Sequence, residues 1–407
     1  MTTTCVCDDM PPAILPRSPP PLMEELVEEI LLRLPPDEPA HLFRAAAVCK
    51  AWRTMLSDSS GVGFLRRYRK FHGTPPMLGY LRNTRYHPEF VATTSAASPP
   101  SLSSAMPMPV DDCNVFWEVL DCRHGRVLMH HAYGTSSSFA FIIWDPITRA
   151  RNHVVVHGHN QNLLAAAVIC DIDGCDHLDC HGGPFRLVLV EKRHNVNGED
   201  IARASVYSSE TDAWTVTSAS IVLSHFESVH RWCPSLLIGD VLYFTLNGGV
   251  WRSIVHLKYD LGSHGLSIID TSGVCCDAVA IKAEDGGLGF VDASEDNCIY
   301  LWSSKQANGT TGGDGRWARH KAMDLNKLAL FPTSRASLFD SRVIGYIEGT
   351  NTIFFSIHYT GVFKLDLKSS LVRKVNAKRF ARYCIVPYTS FYTPGYLLDI
   401  QDFELAS

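Results

Sequence analysis

Five residues able to hold a soft metal ion lie in the stretch CDIDGCDHLDCHGG: Cys170, Cys175, His177, Cys180 and His181. Thiolate sulphur and imidazole nitrogen at short spacing form the usual ligand sets of structural zinc. Here, however, there is no C-x₂-C pair, and no second knuckle follows elsewhere in the chain. Asp171, Asp173 and Gly174 also begin like a calcium loop, but its twelfth position would be Gly182, where a bidentate glutamate is needed. The stretch therefore reads as a hairpin loop with reduced thiols and hydrogen-bonded histidines. Neither a metal nor any other cofactor is expected.

Other chemistry is hard to find. The chain has no G-x-S-x-G elbow and no P-loop, and Gly61-Val62-Gly63 runs on to Arg66 where a dinucleotide fingerprint needs glycine. No ordered acid–base constellation stands out, so no catalytic residue is assigned and the protein is not expected to be an enzyme.

The loop at 170–183 belongs to a region of β-texture. After about residue 76, short runs of β-branched and aromatic residues alternate with Gly, Asp, Asn and Ser turns, as in RVLMHHA, FAFIIWD, FRLVLVEKR, DVLYFTLN and NTIFFSIHY. Only LNKLALF, residues 325–331, suggests a short helix. A weak repeat runs through IIWDPIT, SVYSSETDAW, LKYDLGSHGL, YLWSSK and FKLDLKSS. In each, a strand closes on an apolar or aromatic residue and a polar turn follows. The reference positions Trp144, Tyr207, Tyr259, Trp302 and Leu365 are 63, 52, 43 and 63 residues apart. All-strand units of this length suggest propeller blades, and residues 76–400 have room for about six. The competing architecture is a β-sandwich with irregular hairpins. Two stretches, 92–109 and 305–316, read as inserted mobile loops.

The whole chain has 407 residues, 46% of them hydrophobic, with a net charge of −5. That is enough apolar material for a large core, and no basic field would draw in nucleic acid. The longest apolar run, Leu163–Cys170, is far below the roughly 18 residues of a membrane span. The first residues show neither the basic start nor the apolar run of a signal peptide. A soluble intracellular protein of the cytoplasm and/or nucleus is expected, and its 13 cysteines are taken as reduced.

The front of the chain differs from the rest. Residues 1–21 are Pro-rich and read as a disordered tail. Leu26, Val27, Ile30, Leu31 and Leu34 then form a helical stripe, with Glu24, Glu25, Glu28 and Glu29 beside it. Pro35 stops this helix, and Asp37 is the expected N-cap of a second helical stretch from Leu42 to Leu56. So small a unit carries more apolar surface than it can hide. It needs either a partner or the β-domain beneath it as a seat. The basic run FLRRYRKFH, within 61–75, reads as a linker helix with a solvated face. A DNA-reading helix-turn-helix is disfavoured by the glutamate-rich first helix and the acidic net charge.

The residues of 22–60 resemble an F-box. That family pattern is an amphipathic helix ending in Leu-Pro, a second helix with a central Leu, then Val-Cys-Lys-x-Trp. It is met here by Leu26, Ile30, Leu34, Pro35, Leu42, Val48, Cys49, Lys50 and Trp52. The usual opening Leu-Pro is Leu22-Met23. CDHLDCHGGPF, VYSSETDAW, LKYDLGSHGLSIID, EDGGLGF and PYTSFYTP are similar to the F-box proteins numerous in grasses. The resemblance implies an α+β protein: a three-helix F-box, then a large all-β domain at 76–400 and a short tail at 401–407. It implies that Leu22, Leu26, Ile30, Leu34, Pro35, Leu42, Val48, Cys49 and Trp52 bind a Skp-type adaptor. Through that adaptor they would engage a cullin–RING ubiquitin ligase, while the β-domain holds a target protein. The alternative is a propeller scaffold or kelch-type enzyme whose helices are a structural cap.

Overall fold

The computed structural model describes residues 23–57, 63–84, 88–93, 117–131, 138–157, 162–180, 182–223, 229–248, 253–293, 297–304, 317–328, 341–357, 360–375 and 384–393. The tails at 1–21 and 401–407, Leu22, His181 and most of the stretches 92–109 and 305–316 lie outside the described residues.

Four helices come first: α1 (Glu24–Leu32), α2 (Ala40–Ala46), α3 (Lys50–Ser57) and α4 (Phe64–His72). Glu24 and Glu25 occupy the first turn of α1, where carboxylates face the positive end of the helix dipole. Pro35 follows within three residues of its end. Asp37 is not the cap expected of it: α2 begins at Ala40, its N-cap position is Pro39, and no side chain caps it. The stretch from Leu42 to Leu56 divides at residues 47–49 into α2 and α3. Gly73 closes α4 at φ 69°, its N–H donating to Arg69 O at 2.8 Å.

The β-region is a propeller of six blades, not a sandwich. Blades two to six follow in chain order. Their innermost strands are Trp117–Arg123, Leu163–Cys170, Leu236–Ile238, Val279–Lys282 and Ser341–Ile347. The first blade is built from both ends of the domain. Its inner strand is Ile385–Thr389, which pairs antiparallel with Met77–Asn83, and Pro88–Ala92 lies outside that. The ring therefore closes by hydrogen bonds between its two termini. The fit there is close: a Cβ on Gly79 would lie 2.3 Å from Phe90 Cζ and 2.6 Å from Val91 O.

Apolar slabs fill the space between neighbouring blades. One joins Val188, Val190 and Ala204 of the third blade to Leu242, Phe244 and Leu257 of the fourth. Another joins Phe355 and Phe363 of the sixth to Val291 and Ile299 of the fifth. The repeat seen in the sequence is the third strand of each blade. Trp144, Tyr207, Tyr259, Trp302 and Leu365 all stand towards the ends of third strands, in blades two to six. Three of the turns that follow are pinned locally: Asp145 accepts from Thr148 Oγ1 at 2.7 Å, Asp260 from Ser263 Oγ at 2.8 Å and Asp366 from Ser369 Oγ at 2.7 Å. Leu325–Leu328 forms one 3₁₀ turn where a short helix is expected.

Candidate functional site

The helical unit has its own core. Val27, Leu31 and Leu32 of α1 meet Leu42, Ala45 and Ala46 of α2, Leu56 of α3, and Phe64, Leu65 and Tyr68 of α4, with Leu34, Trp52 and Met55 at its margin. Tyr68 donates its hydroxyl to Leu34 O at 2.9 Å, tying α4 to the chain just past the end of α1. Burial, helped by the charge of Asp37, pushes the Tyr68 phenol well above its usual value. Since α4 supplies three members of this core, it is part of the unit and not only a linker.

This core splits the expected docking residues. The α1 stripe is divided: Val27 and Leu31 point in, whereas Leu26 and Ile30 are 45% and 56% exposed. Met23 extends that outward row by one turn and is also exposed. Val48, Cys49 and Pro35 are exposed. Leu34 and Trp52 are half-buried against the unit's interior. Leu42 is 1% exposed, so it cannot touch a partner while the unit is folded, and it serves the core instead. Spacing alone could not separate these roles, because residues adjacent in a helix are only about 100° apart.

On its other side the unit is seated on the propeller. Phe43 packs on the core of the first two blades and faces Tyr392 with ring centroids 5.2 Å apart. Phe391 enters the helical core, its ring 6.2 Å from Tyr68. The basic run on α4 is not simply a solvated face. Arg67 pairs with Glu28 of α1, and the buried Arg69 pairs with Asp179 of the 170–183 loop. Leu178 of the same loop packs against the helical core. The helices thus lie over the face that carries the connections between first and second strands.

Two further groupings were not legible in the sequence. Arg123, 5% exposed, donates to Asp121 Oδ2 at 2.9 Å, to Val168 O at 3.0 Å, to Ser235 Oγ at 3.2 Å, and to both Glu348 oxygens at 3.0 and 2.7 Å. One guanidinium thereby ties together four blades near the propeller axis. Burial pushes the Asp121 carboxyl above its usual range, opposed by Arg123. Residues so far apart in the chain leave no local pattern to find. Separately, Lys282, Glu284, Asp285, Trp302, His320 and Lys368 help line a cleft of about 830 Å³ between the fifth and sixth blades.

In the 170–183 loop, the fold brings together the four soft ligands that lie among the described residues. One ligand atom each of Cys170, Cys175, His177 and Cys180 lies within 4.8 Å of all the others. Cys180 Sγ is 3.7 Å from His177 Nδ1, and the His177 N–H points to Cys175 Sγ at 3.4 Å. The sequence spacing gave no reason to expect this convergence, because it depends on Gly174 and His177 both turning the chain at positive φ, 65° and 56°.

A helical unit with an outward apolar row, carried on a six-bladed propeller, is the class of protein that these features define. Residues 22–61 match the F-box domain family, so the front of the chain is an F-box domain. No curated protein matches the chain. Among solved structures, TolB from Acinetobacter baumannii is similar at 13% identity over 80% of this chain and 74% of its own, with a TM-score of 0.35. The β-propeller domain of the trilobed protease from Pyrococcus furiosus is similar at 12% identity, covering 64% and 82%, with a TM-score of 0.32. The six-bladed fungal lectin of Aleuria aurantia is similar at 12% identity, covering 68% and 79%, with a TM-score of 0.32. No helix among the described residues is long and apolar enough to cross a membrane.

Proposed function

We propose that this protein is the substrate-recognition subunit of a Skp–cullin–F-box ubiquitin ligase. The F-box domain docks a Skp-type adaptor, and the propeller holds the protein to be ubiquitinated. The observation that carries the reading is the two-sidedness of the F-box domain. One side is spent on the propeller through Phe43, Arg69 and the Phe391 pocket. Along α1 and its N-cap, Met23, Leu26 and Ile30 form an apolar row that neither the helical core nor the propeller covers. An exposed apolar row on a rigid helix is a surface suited to another protein's helices.

The target surface is assigned to the propeller face opposite the helices. Because neighbouring strands are antiparallel, connections between second and third strands emerge there. Its described members include Asn195–Glu199 of the third blade. The contribution to catalysis is proximity, not chemistry. A cap-only role for the helices accounts for the seated side but leaves the α1 row unexplained. Co-expression with a Skp-type adaptor tests the reading. A stable complex is expected, and it should be lost in the Leu26→Asp, Ile30→Asp double variant while the protein stays folded. A folded protein that never captures the adaptor would overturn it.

A further inference from the structure

We propose that Cys170, Cys175, His177 and Cys180 form a Cys₃His site for a structural zinc ion, and that this ion fixes the loop on which the F-box domain is seated. The geometry is already close to what the metal requires. With zinc–sulphur bonds of about 2.3 Å and a zinc–nitrogen bond of about 2.0–2.1 Å, a tetrahedral site has ligand–ligand edges of roughly 3.5–3.8 Å. The Cys180–His177 edge is 3.7 Å, and every other ligand pair is within 4.8 Å. Contraction of each remaining edge by about 1 Å or less would complete the tetrahedron, a movement that side-chain rotation supplies. All three thiols are free and able to ligate. The ligands are soft and contain no carboxylate, which favours zinc over calcium or magnesium. Four protein ligands leave no open coordination position, so the site is structural, not catalytic.

The surroundings supply what such a site needs beyond its ligands. The His177 N–H directed at Cys175 Sγ stabilises a thiolate there. His177 is held in orientation by His124, whose ring lies flat on it at 4.0 Å with a 4° interplanar angle. His124 is in turn fixed by the two-residue turn His124-Gly125, both at positive φ, which joins two strands of the second blade. Three thiolates, a neutral imidazole and Zn²⁺ carry a net charge of about −1. Arg126, buried against the loop, donates to the carbonyls of Cys180 and of Gly183, the latter at 2.6 Å, and sets a positive charge beside it. Among the described residues no other group of Cys, His, Asp and Glu side chains converges in this way.

The consequence for the fold comes from what lies between the ligands. His177 and Cys180 flank Leu178 and Asp179, and these two residues reach the F-box domain: Leu178 enters its core margin and Asp179 pairs with Arg69. Metal bound on both sides holds that pair in place. Zinc would therefore act as a clasp between the two domains, whether or not the adaptor reading holds.

The test uses the full chain, purified from zinc-supplemented cells and dialysed against metal-free buffer. Elemental analysis should find close to one zinc per chain, lost in a Cys175→Ser, Cys180→Ser variant and kept in a Cys275→Ser, Cys276→Ser control. Because the first variant could misfold, two readouts use the unaltered protein. Cobalt should give the absorption of a tetrahedral thiolate complex. Cys170, Cys175 and Cys180 should resist alkylation until a chelator is added, while the exposed Cys49 reacts throughout. Chelation should also speed proteolysis between His72 and Met77. Substoichiometric zinc with no cobalt spectrum, a disulfide among these thiols, or zinc retained in the Cys175/Cys180 variant would overturn the site. Proteolysis indifferent to chelation would overturn the clasp.

Discussion

Phe391 and Tyr392 are adjacent in sequence and enter different cores. Phe391 lies among the F-box helices, 6.2 Å from the Tyr68 ring, and Tyr392 lies in the slab between the first two blades, 5.2 Å from Phe43. Two neighbouring side chains of an extended segment point opposite ways, so a single turn of chain after the closing strand can join the domains. Phe391→Ala is expected to loosen the F-box domain selectively. Removing a buried phenylalanine costs about 3–5 kcal/mol. Hydrogen exchange should rise in α1 and α4 and stay low in the blades. Equal loss of protection in both domains would show that the residue supports the propeller instead.

The exposed and buried apolar residues of the F-box should separate cleanly in variants. Leu26→Asp with Ile30→Asp should weaken adaptor binding tenfold or more, given the roughly 2 kcal/mol scale of central interface anchors, with little change in melting temperature. Leu42→Ala should do the reverse, costing about 2–5 kcal/mol of stability as a core truncation. Trp52→Ala, half-buried at the margin, should show both effects. Isothermal titration beside thermal melts distinguishes them, and an unstable Leu26/Ile30 variant would argue against an outward role for α1.

Asp121→Ala removes one of two carboxylates from a buried guanidinium. It should destabilise the propeller by about 3 kcal/mol, because Arg123 stays buried with part of its charge unanswered. Asp121→Asn, which keeps the shape, should cost less. Denaturant unfolding of both variants gives the comparison, and wild-type stability in the alanine variant would mean that Glu348 alone suffices for Arg123.

His256 predicts an acid-sensitive window. Burial lowers its pKa to about 4, against an ordinary value near 6.5; it lies beside Thr245 Oγ1 at 3.2 Å and the Phe290 ring at 4.6 Å. Above pH about 6.5 it is neutral in both folded and unfolded chains, and its contribution is fully present. As pH falls toward 4 the unfolded state takes up the proton first, and stability drops by at most about 3 kcal/mol. Burial also lowers the pKa of His124, so the measurement is the difference from His256→Gln. That variant should show a shallower loss of stability between pH 6.5 and 4, and an identical slope would remove His256 as a cause.

How much could be read in advance varies with the kind of signal. Third strands were legible where a large buried side chain stands just before a pinned turn, as at Trp144-Asp145, Tyr259-Asp260 and Leu365-Asp366. The first blade gave no such phrase, since its strands come from opposite ends of the domain. In the F-box, the helices were legible but not their inner and outer sides: Leu26 and Val27 are equally apolar, and only packing decides that Val27 turns inward. Arg123 and the Cys/His loop were opaque for another reason. Their partners are set by blade geometry and by positive-φ turns at His124 and His177, which composition does not encode.

The closure of the ring also orders events in time. The F-box leaves the ribosome first, yet Phe391, a member of its core, is made more than 300 residues after Phe64. At synthesis rates of about 5–20 residues per second that is a delay of some 15–65 seconds. During it the nascent F-box lacks an aromatic wall, and the strand that places Phe391 is the one that seals the propeller. A fully packed F-box therefore certifies a finished propeller, and a truncated nascent chain would carry a docking domain that is marked as incomplete by its own loose core.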